Sequence, residues 1–106
     1  MLRKITTIDA FDQLLESKEV FYFLKHSNSC PVSQAAYETF EKFHYERDMD
    51  GYYLIVQDHA ELSKHIEEKY GIKHESPQAF YFKNKAVKWN GSHQEIQMNT
   101  LSNAED

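Results

Sequence analysis

Cys30 is the side chain of this sequence whose type and position together suggest nucleophilic chemistry. It stands in the run Ser29-Cys30-Pro31-Val32-Ser33, directly after an apolar, strand-like segment and directly before a helix-like one. At a helix N-terminus the unpaired N–H groups and the positive end of the helix dipole favour an anion, so the thiolate should be favoured over the thiol. Pro31 suits the first helical position, where its missing N–H would have had no partner. The sequence therefore predicts a reactive thiolate.

Because Cys30 is the only cysteine, it cannot form a disulfide within the chain. It is free to act as a ligand or a nucleophile, or to stay buried as a small hydrophobic residue, and its place before a helix favours reactivity. His26, four residues earlier, could form an ion pair with the sulfur, although thiol exchange does not need a paired base. The other histidines form no i,i+4 pair, so we expect no metal site. They are His44, His59, His65, His74 and His93.

The elements that must position Cys30 alternate between helix and strand. Thr7 can cap a first helix, and the apolar, aromatic run 20–24 predicts a strand that is covered on both faces. Apolar residues three and four apart over 31–47 predict a helix with one face on a sheet. A second buried strand is predicted over 52–56, followed by a helix that begins at the capping-box residue Asp58.

The last third of the chain has a different pattern. Two short apolar runs, 79–82 and 86–89, are separated by a polar turn and predict a hairpin. Ser92 and Glu95 then have the spacing of a capping box at the start of a last helix. Alternating strands and helices require parallel pairing, so together with the hairpin they predict an α/β protein. We expect a central mixed β-sheet flanked by helices on both faces, with an extra short edge strand around 3–6.

Length and charge restrict the class of protein. The chain of 106 residues is expected to be one domain, 1–106, with a single core. Its net charge of −5 and its lack of a Lys/Arg cluster argue against nucleic acid or an anionic membrane as the main partner. No apolar run has the length of a membrane span, and the first residues lead into no signal-peptide segment. We therefore expect a cytoplasmic protein that binds neither nucleic acid nor membrane.

The order of elements resembles the thioredoxin fold, with Cys30 between the first buried strand and its helix and with a Ser-Pro pair just before the hairpin. Thioredoxin-like proteins usually carry Cys-x-x-Cys, whereas Ser33 occupies the second position here, as in a monothiol member. Within that superfamily the chain resembles the monothiol bacilliredoxin family, small proteins of the bacillithiol system. The segments that carry the resemblance are Ser29-Cys30-Pro31-Val32-Ser33, Glu75-Ser76-Pro77-Gln78 and Trp89-Asn90-Gly91-Ser92-His93.

This resemblance implies an oxidoreductase that removes bacillithiol from mixed disulfides on client proteins. Cys30 would attack the mixed disulfide, release the client thiol and hold the bacillithiol moiety until another thiol removes it. Ser33 cannot form a disulfide, and its hydroxyl could donate a hydrogen bond to the thiolate. No bound cofactor is implied, because bacillithiol acts as a thiol co-substrate. The implied partners are bacillithiolated client proteins and a low-molecular-weight thiol.

Two further segments are expected to bind substrate. By the family pattern, Ser76-Pro77 would be a cis peptide facing the thiol, with the Ser76 backbone pairing to the substrate. Gly91 and Ser92 lie at the predicted start of the last helix, where N–H groups could hold a carboxylate of a small thiol. A simple capping box explains Ser92 equally well.

Two other functions are compatible with the same residues. The chain could be a thioredoxin-fold adaptor that binds partner proteins without redox turnover, in which case Cys30 would be buried or unreactive. It could also be a redox sensor in which Cys30 is modified under stress, with stable modification and slow turnover.

Overall fold

Helices and strands alternate along the chain until a closing hairpin, and the computed structural model describes all 106 residues. None of its helices combines the length and the apolar character that crossing a membrane requires. The elements are β1 (Leu2–Lys4), α1 (Ile8–Ser17), β2 (Val20–His26), α2 (Pro31–Glu46), β3 (Gly51–Ile55), α3 (Ala60–Tyr70), β4 (Gln78–Lys83), β5 (Ala86–Ser92), a 3-10 helix (His93–Glu95) and α4 (Met98–Asn103). The strands form one sheet in the order β1-β3-β2-β4-β5.

Two hydrophobic cores lie on the two faces of this sheet. Along β2, Phe21 and Phe23 pack with α1 and α3, whereas Tyr22 and Leu24 pack with α2 and α4, because successive residues of a strand point to opposite faces. A central strand of this kind is apolar throughout. The first core consists of Phe11, Leu14, Leu15, Phe21, Phe23, Tyr52, Leu54, Leu62, Ile66, Phe80 and Phe82. The second consists of Tyr22, Leu24, Ala36, Phe40, Phe43, Ala79, Tyr81, Ile96, Leu101 and Ala104.

The predicted α/β class is confirmed, since β1, β3 and β2 pair in parallel, β4 and β5 are antiparallel, and helices cover both faces. The edge strand is present as Leu2–Lys4, and the Thr7 hydroxyl accepts the Ala10 N–H at 3.1 Å as an N-cap. The capping box predicted at Asp58 is wrong. The N-cap of α3 is His59, whose Nδ1 accepts the Ile55 N–H at 3.1 Å instead.

The predicted single last helix is also wrong, because the structure divides it in two. Ser92 and Glu95 begin only the 3-10 helix, in which a Glu95 carboxylate oxygen accepts the Ser92 N–H at 2.8 Å. A second cap then starts α4, where the Thr100 hydroxyl accepts the Gln97 N–H at 3.0 Å. Two separate caps produce two short helices where one was expected.

Strand direction brings the candidate site residues to one edge of the sheet, namely the one formed by the last residues of β2 and β3 and the first residues of β4. β2 and β3 are parallel and end there together, with His26 opposite Ile55. The antiparallel β4 begins at the same edge, where Gln78 pairs with both Lys25 and Ser92. The loops that follow β2 and β3, the loop that precedes β4 and the end of β5 therefore meet at this edge.

Gly51 and His44 form a tight contact where α2 returns to the sheet. His44 is completely buried, and its Nδ1 lies 2.7 Å from the Phe40 carbonyl oxygen. Burial lowers the pKa of His44, so the ring is neutral. A Cβ atom at Gly51 would lie 2.5 Å from His44 Nε2, which is well inside van der Waals contact. The position thus requires a residue without a side chain.

We expect Gly51→Ala to lower the free energy of unfolding by about 1–3 kcal/mol, the usual cost of overpacking a core. Alanine would otherwise be favoured over glycine in a strand, so a loss must come from the His44 contact. Urea unfolding followed by circular dichroism measures this difference. The control is Gly71→Asn, at a left-handed C-cap with open space around it, where we expect a much smaller change. Equal losses for the two variants would contradict the prediction.

Candidate active site

The thiol of Cys30 stands at the N-cap of α2. Cys30 has extended backbone angles, and the first intrahelical hydrogen bond runs from the Gln34 N–H to its carbonyl oxygen at 3.0 Å. Pro31 occupies the first helical position, and no acidic residue lies in the first turn. The side chain is partly exposed and makes no hydrogen bond within the chain. The sulfur is therefore accessible at the positive end of a 16-residue helix, where a negative charge is stabilised.

Ser33, the second polar residue of the motif, has a different role from the one expected. It is completely buried, and its Oγ accepts the Ser27 N–H at 2.8 Å and lies 3.0 Å from His26 Nδ1. The hydroxyl therefore joins α2 to the end of β2 and is not directed at the sulfur. No hydroxyl of the chain is hydrogen-bonded to the Cys30 thiol, which lies at the positive end of the α2 dipole.

His26 does not pair with the sulfur. Its ring packs against Tyr37 with the centroids 4.9 Å apart, and its Nδ1 faces the Ser33 hydroxyl. Burial lowers the pKa of His26, so the imidazole is neutral at neutral pH. A neutral ring bound to a serine cannot provide the cation of a Cys/His ion pair. No group of three or more His, Cys, Asp or Glu side chains is arranged to hold a metal ion.

Gln57 is a site residue that sequence reasoning missed. Its Nε2 donates to Ser27 Oγ at 2.7 Å and to Ser29 Oγ at 3.1 Å, and its Oε1 accepts the Asn28 N–H at 3.2 Å. One side chain thus bonds to three consecutive residues that lead into Cys30. The signal available in the sequence was a long amide just after a strand that runs parallel to β2 and ends at the same edge.

Ser76 and Pro77 reach the same edge of the sheet at the start of β4. The Ser76-Pro77 peptide bond is cis, as the resemblance implied. Pro77 is buried, and its carbonyl oxygen accepts the His93 N–H at 3.1 Å. Ser76 lies outside any strand, and neither its N–H nor its carbonyl has a partner within the chain. Its buried Oγ also lacks a hydrogen bond. Ser76 therefore has a free backbone donor and acceptor beside the proline.

Gly91 and Ser92 lie at the end of β5, with their backbone groups largely used inside the chain. Gly91 is buried opposite Ala79, and a Cβ atom there would lie 2.7 Å from the Trp89 ring. The Ser92 N–H donates to Glu95, and the following N–H donates to Pro77. Binding of a carboxylate by these residues stays a prediction, and a ligand there would have to displace the Glu95 carboxylate.

Comparisons with known proteins agree with this arrangement. The family model described as Monothiol bacilliredoxin BrxC matches residues 3–101. The solved structure of a proposed oxidoreductase with a thioredoxin fold is 50% identical, with a TM-score of 0.97 over 99% of this chain and 94% of that one. The chain is also similar to thioredoxins of Malassezia sympodialis (20% identity, TM-score 0.73, 97% and 88% covered) and Plasmodium falciparum (15%, 0.74, 99% and 96%). The predicted thioredoxin-like fold is confirmed.

We expect Gln57→Ala to slow the reaction of Cys30 with an aromatic disulfide reagent by about tenfold, because the loop before the nucleophile would lose the three hydrogen bonds that the Gln57 side chain makes to it. Stopped-flow absorbance measures this rate, and hydrogen exchange of the Asn28 amide should become faster in the same variant. The control is Gln34→Ala, since that side chain donates only to Glu38 on the surface of α2. A Gln57→Ala rate equal to that of the control would contradict the prediction.

Proposed function

Because this chain belongs to the monothiol bacilliredoxin family, which assigns it a thiol redox role, we propose that it removes bacillithiol from mixed disulfides on client proteins with Cys30 as the nucleophile. The observation that carries the proposal is the state of that thiol. It is the only cysteine of the chain, partly exposed and free of internal hydrogen bonds, at the N-terminus of a long helix. The sulfur is thus open to a disulfide substrate, and the thiolate is the attacking form in disulfide exchange.

The reaction consists of two exchanges at sulfur. In the first, the Cys30 thiolate attacks the bacillithiol sulfur of the mixed disulfide, a new S–S bond forms, and the client sulfur leaves and takes up a proton. In the second, an external thiolate attacks the bacillithiol sulfur, and Cys30 leaves as a thiolate again. The external thiol ends in a disulfide with bacillithiol, so it supplies the electrons for each cycle. No bound cofactor takes part, and bacillithiol is the thiol co-substrate.

The backbone of Ser76 supports binding of the substrate beside the sulfur. Its N–H and carbonyl have no partner in the chain. They lie at the edge of the sheet where β2 ends and the loop to Cys30 begins. An extended client segment can pair with such a free donor and acceptor, as added strands do at sheet edges. Gly91 and Ser92, at the end of β5, would complete the binding surface on the other side of Pro77.

The proposed setting is the cytoplasm, where small thiols keep cysteines reduced. The proposed partners are bacillithiolated client proteins and a low-molecular-weight thiol. The negative charge of the chain gives no basis for a nucleic-acid or membrane partner.

We expect wild-type protein mixed with a bacillithiolated client to acquire one bacillithiol on Cys30, visible by intact mass spectrometry, while the client returns to its free-thiol mass. Addition of a small thiol should then regenerate the enzyme repeatedly. Cys30→Ser should lose all transfer and melt at or above the wild-type temperature, since the thiol has no internal partner to lose and serine is a good N-cap residue. Transfer without regeneration would indicate a sensor, and slow alkylation of Cys30 in the folded state would indicate an adaptor. Either result would overturn the proposal.

Ser33→Cys tests why the site carries one thiol. We expect the bacillithiol adduct on Cys30 to decay without added thiol, because the introduced thiolate can attack the Cys30 sulfur, break its bond to bacillithiol and release bacillithiol as a free thiol, which leaves a disulfide between positions 30 and 33. Mass spectrometry of the decaying adduct identifies the product. Ser33→Ala is the matched control, because it also removes the acceptor of the Ser27 N–H but adds no thiol. A similar decay in both variants would contradict this explanation.

A further inference from the structure

Lys25 is a completely buried lysine that the proposed chemistry does not use. It follows Leu24 in β2, and its side chain extends on the α3 side of the sheet, where Nζ donates to the Ser63 carbonyl at 3.0 Å and lies 3.2 Å from His74 Nδ1. Burial lowers the pKa of Lys25 to about 8. Burying an ammonium group is unfavourable, and an apolar residue of similar volume is often tolerated in its place. The contacts of Nζ are therefore the feature to explain.

His74 contacts Lys25 through its ring, and it is hydrogen-bonded to α3 as well. Its backbone N–H donates to a Glu67 carboxylate oxygen at 2.8 Å, and its Nδ1 lies 3.2 Å from the Ser63 hydroxyl as well as from Lys25. A lysine ammonium has donors only, so Nδ1 must act as the acceptor and the ring proton must be on Nε2. Burial, followed by the charge of Lys25, lowers the pKa of His74, which is consistent with a neutral ring.

The anchored residue lies in the loop that leads to the cis proline. Residues 71–77 connect α3 to β4, and the Gln78 side chain holds the same loop by donating to the Lys73 carbonyl at 3.0 Å and accepting the Glu75 N–H at 3.3 Å. Ser76 and its free backbone groups follow His74 by two residues. The position of the Ser76 backbone thus depends on the anchor at His74 together with the Gln78 contacts.

We propose that Lys25 is a positioning residue: through its contact with His74, it holds the loop that presents Ser76 and Pro77 at the Cys30 end of the sheet. The activity part of this inference rests on the proposed function, whereas the loop contact does not. Lys25 is suited to this role because it is adjacent to Gln78 across the sheet and directly precedes His26, at the strand end that leads to the nucleophile.

The contact depends on the protonation of His74. A protonated ring would lose its Nδ1 acceptor and place a second positive charge 3.2 Å from the ammonium. The charged groups facing the ring are Lys25 from β2, Lys64 and Glu67 from α3, and Glu75 from the loop. The hydrogen bond between Lys25 Nζ and His74 Nδ1 is therefore formed at neutral pH and is lost as the pH falls below the usual pKa of histidine. Above pH 8 a neutral amine still donates to Nδ1, so the contact persists.

The first test is hydrogen exchange of the loop in Lys25→Met, which replaces the ammonium with an unbranched apolar chain. We expect exchange of the His74 and Glu75 amides, which donate to Glu67 and Gln78, to become roughly two- to tenfold faster, the factor that corresponds to the net loss of one hydrogen bond. In the wild type the same exchange should become faster as the pH is lowered below neutrality, after correction for intrinsic rates, and the variant should show no such step. Lys64→Met is the matched control. It removes an exposed lysine of α3 that lines the same surface cavity as His74, and it leaves the contact between Lys25 and His74 in place.

The second test uses the reductase reaction and a double-mutant cycle with His74→Leu, which removes the Nδ1 acceptor. We expect Lys25→Met to raise the KM for a bacillithiolated client by a similar factor, with Cys30 alkylation by a small reagent unchanged. The double variant should have a KM no higher than that of the more impaired single variant, because both changes remove the same contact. If Lys25→Met does not fold, His74→Leu, in a loop, provides the exchange and KM readouts alone.

Loop exchange equal to that of Lys64→Met, or additive effects in the cycle, would overturn the proposal for Lys25. If the wild type itself lacks reductase activity, the proposed function fails, and the exchange measurements still decide the role of Lys25.

Discussion

The parallel pairing of β2 with β3 determines where the loop that leads to Cys30 is held. With His26 opposite Ile55, the two strands end together, and the Val56 N–H extends the ladder to the His26 carbonyl at 2.8 Å. This register places Gln57 beside the residues that precede Cys30, where its amide bonds to three of them. Because Gln57 follows β3 by only two residues, the register decides which residues of the neighbouring loop it meets. The geometry of the nucleophile is therefore fixed by strand pairing before any group touches the sulfur.

The contacts of Ser33 in α2 also explain why the motif carries serine at this position. Ser33 Oγ accepts the Ser27 N–H and faces His26 Nδ1 in a completely buried position. A hydroxyl is both donor and acceptor, whereas a thiol is weak in both roles, so serine satisfies the buried amide better than cysteine does. The single-thiol character of the site is thus consistent with the packing of the loop as well as with the proposed chemistry.

Periodicity and local sequence were sufficient to predict most of the fold. The apolar run of β2, the helix after Pro31 and the hairpin after Pro77 are strong local patterns, and the helix start located Cys30 correctly. The cis Ser76-Pro77 bond was expected only from the family resemblance, because local sequence does not determine it. The division of the last helix depended on a second cap at Gln97 and on the left-handed backbone of His93. Neither feature has a clear sequence signal, because Gln97 and Thr100 do not have the usual Ser/Thr-x-x-Glu/Gln pattern of a capping box and a histidine adopts a left-handed backbone only occasionally.

The groups that sequence reasoning misplaced are those whose partners are distant in the chain. Ser33 was assigned to the neighbouring sulfur because sequence shows only the four-residue motif, whereas its actual partners lie six and seven residues earlier. Gln57 and Lys25 were not identified because a polar residue near a strand end is normally solvated. Their roles depend on contacts across 28 to 49 positions of the chain. Such contacts require the sheet register, which composition and spacing do not provide.

The last two residues of β2 connect the site to both faces of the sheet. His26 points toward α2 and faces Ser33, which joins the strand to the helix that carries the thiol. Lys25 points the opposite way, toward α3 and His74, and so toward the loop that carries Ser76. Because adjacent strand residues alternate, one strand end can hold the nucleophile on one face and the substrate-binding loop on the other. In the proposed mechanism these two parts need to stay aligned while a disulfide is exchanged between them, and a single rigid central strand is the shortest connection that keeps them so.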